Sequence, residues 1–291
     1  MKAMPRPFAL TQNSIDAFKA CPRRGYLRCI EGLVPRRPAL SLALGAAFHR
    51  AVYSRDIFEG LKLLDRELAC ETDADIDELK VLSSILRAMA AGYMERFPDS
   101  PGMQCDVLFD LPVLNPATGR SSRTFRLCGH ADAIEVREDG RYVVMMATSS
   151  HSADSLDAGS AALQLYALGR STGGHFAGVI CRLARKPSLR KRRGEDIDAF
   201  CARIAADYHA RPEFYFAEKI IDAEEFDAAG FELELWQFAK ELLSRDRVQG
   251  WYKNTARCAD WGGCPYLPLC AGQPGAARLY RQKEAGEGQH G

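Results

Sequence analysis

The chain has no run of about 18 consecutive apolar residues, so no membrane span is expected. Met1 to Thr11 lacks both an apolar stretch and a small-residue cleavage site, which argues against secretion and for the cytoplasm. Net charge is also nearly absent: 39 Lys and Arg stand against 38 Asp and Glu, leaving +1. No whole-molecule field exists to attract nucleic acid, and any such binding must use local patches. Repeats and low-complexity tracts are missing. So is any closely spaced cysteine pair of the kind from which structural zinc sites are usually built.

What is present is material for a core. With 47% hydrophobic and 26% charged residues, global disorder is excluded. A length of 291 residues allows one large domain or two small ones. Ten cysteines are many for a chain expected in a reducing compartment. There, clustered cysteines point to metal, and scattered ones to small buried apolar side chains.

The hydrophobic period changes along the chain. Ser14 is the expected N-cap of a short opening helix that carries Ile15 and Phe18 on one face. Helical spacing follows over 45–58, 59–70 and 75–97. Alternation then predicts strands over 107–113, 124–136 and 141–148, with Glu138 to Gly140 as a hairpin turn. A helix over 159–171, strands over 176–183 and 214–221, and a long helix over 223–249 complete the pattern. The order implies an α/β fold, a mixed sheet flanked by helices. The expected organisation is a single domain over 1–275. It has a helical part over about 30–100, a sheet core over about 105–221 and a flexible tail over 276–291.

Cys258, Cys264 and Cys270 lie within 13 residues, separated by Gly and Pro that let a loop wrap a centre. Cys21 is the best fourth ligand, with Cys29 as its rival. A set of four thiols suits zinc or an iron–sulfur cluster, and the wide spacings with one distant cysteine favour the cluster. Cys29, Cys70, Cys105, Cys128, Cys181 and Cys201 are expected as small buried side chains.

This arrangement resembles the iron–sulfur subset of the PD-(D/E)XK nucleases, including RecB-type domains and CRISPR-associated exonucleases. Ser14 to Leu27, with Cys21-Pro22-Arg23-Arg24, looks like that family's opening helix and first cluster ligand. Gly45 to His49 looks like its Gly-x-x-x-His helix, Gly129 to Asp132 its Gly-x-x-Asp strand, and Leu163 to Tyr166 its Gln-x-x-x-Tyr helix. The resemblance spans roughly residues 10–270 and implies a restriction-endonuclease-like fold closed by a [4Fe-4S] cluster, with zinc as the alternative. It also implies His49, Asp132 and Tyr166 at catalytic positions, and Mg²⁺ or Mn²⁺ if the site works, since phosphodiester hydrolysis needs a carboxylate-held cation.

The match breaks where the family reads acid-x-Lys-Thr. Aligned on Thr148, Met145 stands at the acid and Ala147 at the lysine; Ala162 replaces the glutamine, although Gln164 is close. Methionine is a poor Mg²⁺ ligand and alanine carries neither charge nor proton. The expectation is therefore a non-catalytic nuclease-fold protein that binds DNA or serves a repair, phage or CRISPR-type complex. One alternative is an active exonuclease with migrated groups, with Glu135, Asp110 or Asp154 as carboxylate and Lys186 as lysine. The other is a protein–protein module. Candidate contacts to DNA, single-stranded or at ends, are Arg23, Arg24, Lys186, Arg190, Lys191, Arg192 and Arg193. The tryptophans and tyrosines near the cysteines are expected mainly as packing.

Overall fold

Three long strands carry the middle of the chain: β3 (Gln104–Leu114), β4 (Ser121–Arg137) and β5 (Gly140–Ser149). The computed structural model describes residues 2–68, 73–149, 158–260 and 263–283. Within them, β1 (Phe8–Leu10), β6 (Gly178–Arg185) and β7 (Phe216–Asp222) complete a six-stranded mixed sheet in the order β1-β4-β5-β6-β7, with β3 also on β4. This is the restriction-endonuclease-like α/β architecture expected from the sequence.

Helices cover both faces. One apolar cluster joins the sheet to α6 (Ala158–Thr172), α9 (Ala228–Val248) and the opening helix α1 (Gln12–Ala20). A second joins it to α3 (Leu40–Ser54), α4 (Ile57–Glu67), α5 (Asp73–Arg96), α7 (Ile197–Ala210) and the short α8 (Pro212–Tyr215). Gly60 lets α4 close on α3, since a Cβ there would lie 2.5 Å from the Ala47 carbonyl oxygen.

Several boundaries differ from the sequence pattern. Thr11, not Ser14, caps α1; Ser14 sits three residues in and completes a reciprocal capping box. The helix expected over 45–58 breaks at Arg55, whose backbone is left-handed, and Asp56 caps the next helix through the Phe58 N–H. The periodicity of α7 went unread because it follows directly on the basic loop. The tail expected to be flexible forms β8 (Tyr280–Gln282), antiparallel to β2 (Leu33–Pro35), with Tyr280 buried. Cys105 is exposed rather than buried because β3 is an edge strand, while Cys181 lies in the core and Cys29, Cys128 and Cys201 are half-buried. Cys70 lies outside the described residues.

One side of β4 is shared. β3 runs along the other side, so β1, paired at residues 125–127, and β5, paired at residues 133–137, must meet this side in succession. Between them β4 has no ladder partner there. Past Ala133 and Val144 the two strands part, and β5 continues beside β6 alone. A further irregularity sits at the same point. Ala131 and Ile134 bury in one cluster although they are three residues apart, which a regular strand would send to opposite faces.

Charged groups hold the sheet's other face below this opening. Arg182, 5% exposed, donates to Glu135 at 2.6 Å and to Glu218 at 2.9 Å, and Arg137 joins the same two carboxylates at 2.8 and 3.0 Å. Arg182→Met would leave buried Glu135 with Arg137 alone. We expect a loss of about 3 kcal/mol, the low end for breaking a buried pair, measured as a drop in urea unfolding midpoint.

Candidate functional site

Where β4 parts from β5, buried Asp132 faces the gap between them. Its carboxylate accepts the Tyr53 hydroxyl on one oxygen and the Met146 backbone N–H on the other. Met146 belongs to the stretch of β5 that has lost its β4 partner, so the carboxylate satisfies a donor that the ladder leaves open. His49 approaches the same carboxylate, with Nδ1 3.9 Å from Oδ1.

Helix α3 brings these groups together. A Cβ at Gly45 would lie 3.2 Å from Thr148 Oγ1, so glycine permits the helix to close on β5. One turn later His49 faces Asp132, and one turn beyond that comes Tyr53, the i, i+4 spacing that aligns residues on one helix face. Burial holds the His49 imidazole below its usual pKa, against the opposing pull of Asp132. Tyr53 is pushed up by burial and by the Asp132 charge, so it remains a donor.

The structure shifts the register of the degenerate pair. Met145 packs against the cluster beneath α6, on the far side of the sheet. Met146 packs against the cluster beneath α3 and lines the cavity that holds Asp132, Tyr53, Tyr93 and Arg182. Alternation puts Thr148 on the face of Met146, and Gly45 meets it there. The positions facing His49 and Asp132 are therefore Met146 and Thr148, not Met145 and Ala147. Alignment on Thr148 misled because a strand residue shifted by one changes face. Neither pair carries an acid or a lysine.

The other candidates fall in several places. Tyr166 points toward α9: its ring packs on Phe231 at 5.2 Å and its hydroxyl accepts from Arg170 at 2.9 Å. Gln164 and Ala162 share its helix, and Gln164 Oε1 is buried without a partner. Glu135 is engaged by Arg182 and Arg137, and Asp110 by Arg126 at 2.5 Å on the edge strand. Asp154 lies outside the described residues. Lys186 is beside the cleft: it acts on the charge of His49, and its Nζ donates to Ser41 O at 2.8 Å. Burial lowers its pKa.

Tyr53, Asp106 and His130 were not read from the sequence. Asp106 stands opposite Asp132 between the paired positions Cys105–Ala133 and Val107–Ala131, with a left-handed φ of 52°. It pairs with His130 Nδ1 at 3.1 Å. Helical spacing from His49 could have found Tyr53; no local signal marks Asp106.

Cys21, Cys258, Cys264 and Cys270 line one cavity with about 420 Å³ of empty space, part of it open to solvent. All four are free thiols, and Cys29 does not reach the cavity. Burial instead raises Cys29 to about 11. The thiols surround the space without converging, and no group of three or more His, Cys, Asp or Glu among the described residues is arranged to hold a metal ion. The segment 252–254 is tied to the opening helices: Arg23 N–H donates to Tyr252 O at 3.0 Å, Asn254 N–H to Cys21 Sγ at 3.3 Å, and Asn254 Nδ2 to Ala20 O at 2.9 Å. Soft donors, no carboxylate and an N–H aimed at sulfur fit an iron–sulfur centre. Trp251 is buried and stacks on Tyr26 at 5.6 Å; Trp261 lies outside the described residues.

Among the cationic candidates, Arg190, Lys191, Arg192 and Arg193 are exposed and no described residue pairs with their side chains. The loop has a shape. Glu195 accepts the Arg192 N–H at 2.7 Å and pairs with Arg203 at 2.8 Å, and Arg203 donates to Arg190 O at 2.9 Å. Arg23 lies over the Tyr26 ring at 5.2 Å, and Arg24 lines the cysteine cavity.

A family model described as the PD-(D/E)XK nuclease superfamily matches residues 9–271. No curated protein matches the chain. A solved structure described as "Crystal structure of SSO0001" aligns over 84% of this chain and 87% of that one, at 13% identity and a TM-score of 0.29.

The register makes a direct prediction. Met146→Asp with Thr148→Lys would place a carboxylate and an ammonium beside Asp132. The double variant should bind Mn²⁺ about tenfold more tightly than wild type, roughly 1.4 kcal/mol, by calorimetry. The pair Met145→Asp with Ala147→Lys, facing the other cluster, should give no gain.

Proposed function

The chain belongs to the PD-(D/E)XK nuclease superfamily, and from that membership we propose that it is a non-catalytic nuclease-fold protein that binds DNA. The observation that carries this reading is the state of Asp132. Its two oxygens accept from Tyr53 and from the Met146 N–H, and no second acid or lysine comes from β5, whose residues 140–149 contain neither. Hydrolysis of a phosphodiester needs a cation to activate water and to neutralise the phosphate. A site whose central carboxylate is held by two donors, with no acid or lysine from β5, is poorly made for that.

DNA binding rests on the exposed loop over 190–193, with Lys186 at its root beside the cleft. Unpaired cations on a loop fixed by Glu195 can meet successive phosphates. Among the described residues no helix is long and apolar enough to cross a membrane. Service within a larger DNA-processing complex is consistent with a fold kept without its reaction.

The same reading includes an iron–sulfur cluster held by Cys21, Cys258, Cys264 and Cys270. A cavity lined by four thiols that do not converge on a point accommodates a multi-atom centre more readily than one zinc ion. Bound there, the cluster would supply cross-linking of the chain ends and thereby folding free energy.

Two experiments test these proposals. Wild type should not cleave single-stranded DNA with Mn²⁺, and it should bind it with a steep salt dependence. Neutralising residues 190–193 to serine should flatten the slope by roughly 3, at about 0.7 per phosphate. Cleavage by wild type that disappears in Asp132→Ala would overturn the non-catalytic reading, and an unchanged slope would remove the loop from the interface. For the cysteines, protein purified anaerobically should contain iron and sulfide and absorb in the visible. Cys264→Ala should lose both and unfold at lower denaturant; stoichiometric zinc in a colourless wild type would decide for zinc.

A further inference from the structure

Arg24 follows the first cysteine by three residues, in the one-turn helix α2 (Pro22–Gly25). Its guanidinium does not join the exposed cations. It lines the cavity shared by Cys21, Cys258, Cys264 and Cys270, and its Nε is shielded from solvent with no hydrogen-bond partner. A buried guanidinium N–H normally has an acceptor, so an orphan donor marks a place where one belongs.

The surroundings narrow what that acceptor is. Two other cations reach the cavity and both are engaged: Lys253 Nζ donates to Cys270 O at 2.5 Å, and Arg257 pairs with Asp260 at 3.0 Å. No carboxylate lines the space. The polar groups facing it are cations, N–H donors and thiols, an environment built for an anion with soft acceptor atoms. Asn254 already offers its N–H to Cys21 Sγ.

We propose that Arg24 is a positioning residue for the four-thiolate centre, donating its Nε–H to a sulfur of the centre and offsetting its negative charge. The inference rests on the iron–sulfur reading given above. Four thiolates outweigh the charge of the iron–sulfide core, and reduction makes the whole more negative still. A fixed cation in a partly desolvated cavity stabilises the reduced state most, so it raises the reduction potential and slows loss of iron. The residue's planar, permanently charged fork suits such a contact.

The test uses the full chain purified anaerobically, as wild type, Arg24→Gln, Arg24→Lys and Arg257→Gln. Iron and sulfide per chain, an absorbance-monitored redox titration and the rate of iron release to a ferrous chelator are measured. Arg24→Gln should shift the potential negative and release iron several-fold faster. Arg24→Lys keeps the charge but lacks the Nε donor; it should keep most of the potential and still release iron faster. Arg257→Gln should behave as wild type. A wild-type potential and release rate in Arg24→Gln overturn the proposal. If Arg24→Gln does not accumulate, a wild-type release rate in Arg24→Lys does the same. Zinc without iron in the wild type overturns instead the cluster reading on which it stands.

Discussion

The carboxylate of Asp132 accepting the Met146 N–H is the contact on which the cleft depends. A strand that leaves its partner exposes backbone donors, and such donors must be satisfied or stay wet. Here the side chain of one strand takes the donor of the other, so β4 and β5 can part after Ala133 and Val144 without leaving an orphan. The opening thus created is where α3 closes in. Gly45 lets it reach Thr148, and the next two turns deliver His49 and Tyr53. Removing the contact would cost more than one hydrogen bond, because the helix, the cavity and the strand divergence share it.

A second constraint closes the molecule from its ends. Residues 252–254 hydrogen-bond to residues 20–23, and β8 pairs with β2. The cysteine cavity lies between these two zippers. These hydrogen bonds hold its walls and bring four thiols from distant parts of the chain to one space. Charge is arranged consistently around it: the cavity collects cations, whereas the buried network at Arg182 balances two arginines against two glutamates.

Much of this was legible in the sequence, for identifiable reasons. The strands announced themselves by alternation, and the Gly45–His49 spacing and Asp132 by their fit to a motif. The cysteines were legible because thiols clustered among Gly and Pro have few other uses. What failed was register. Met145 and Met146 have the same chemistry, so nothing in the residues says which faces the helix; only the ladder with β6 and the burial of each decides it. Asp106 was invisible for a related reason, since its meeting with Asp132 depends on the pairing of two strands and not on spacing along one. That Arg24 faces the cysteine cavity was not legible, because a pair of adjacent arginines carries no mark of which turns inward.

The residues at positions 146 and 148 also bear on how Asp132 is accommodated. A buried carboxylate, 8% exposed here, is costly unless something compensates its charge. In an active site a cation does so. Here β5 presents Met146 and Thr148 beside it, and hydrogen-bond donors face the carboxylate: the Tyr53 hydroxyl and the Met146 N–H, with His49 beside them. The Met146 contribution is made by the backbone and is therefore independent of the side chain at that position. A methionine there leaves it in place and adds no like charge beside Asp132. The aspartate thereby serves the architecture, tying β4 to β5 where they part and, through Tyr53, to α3.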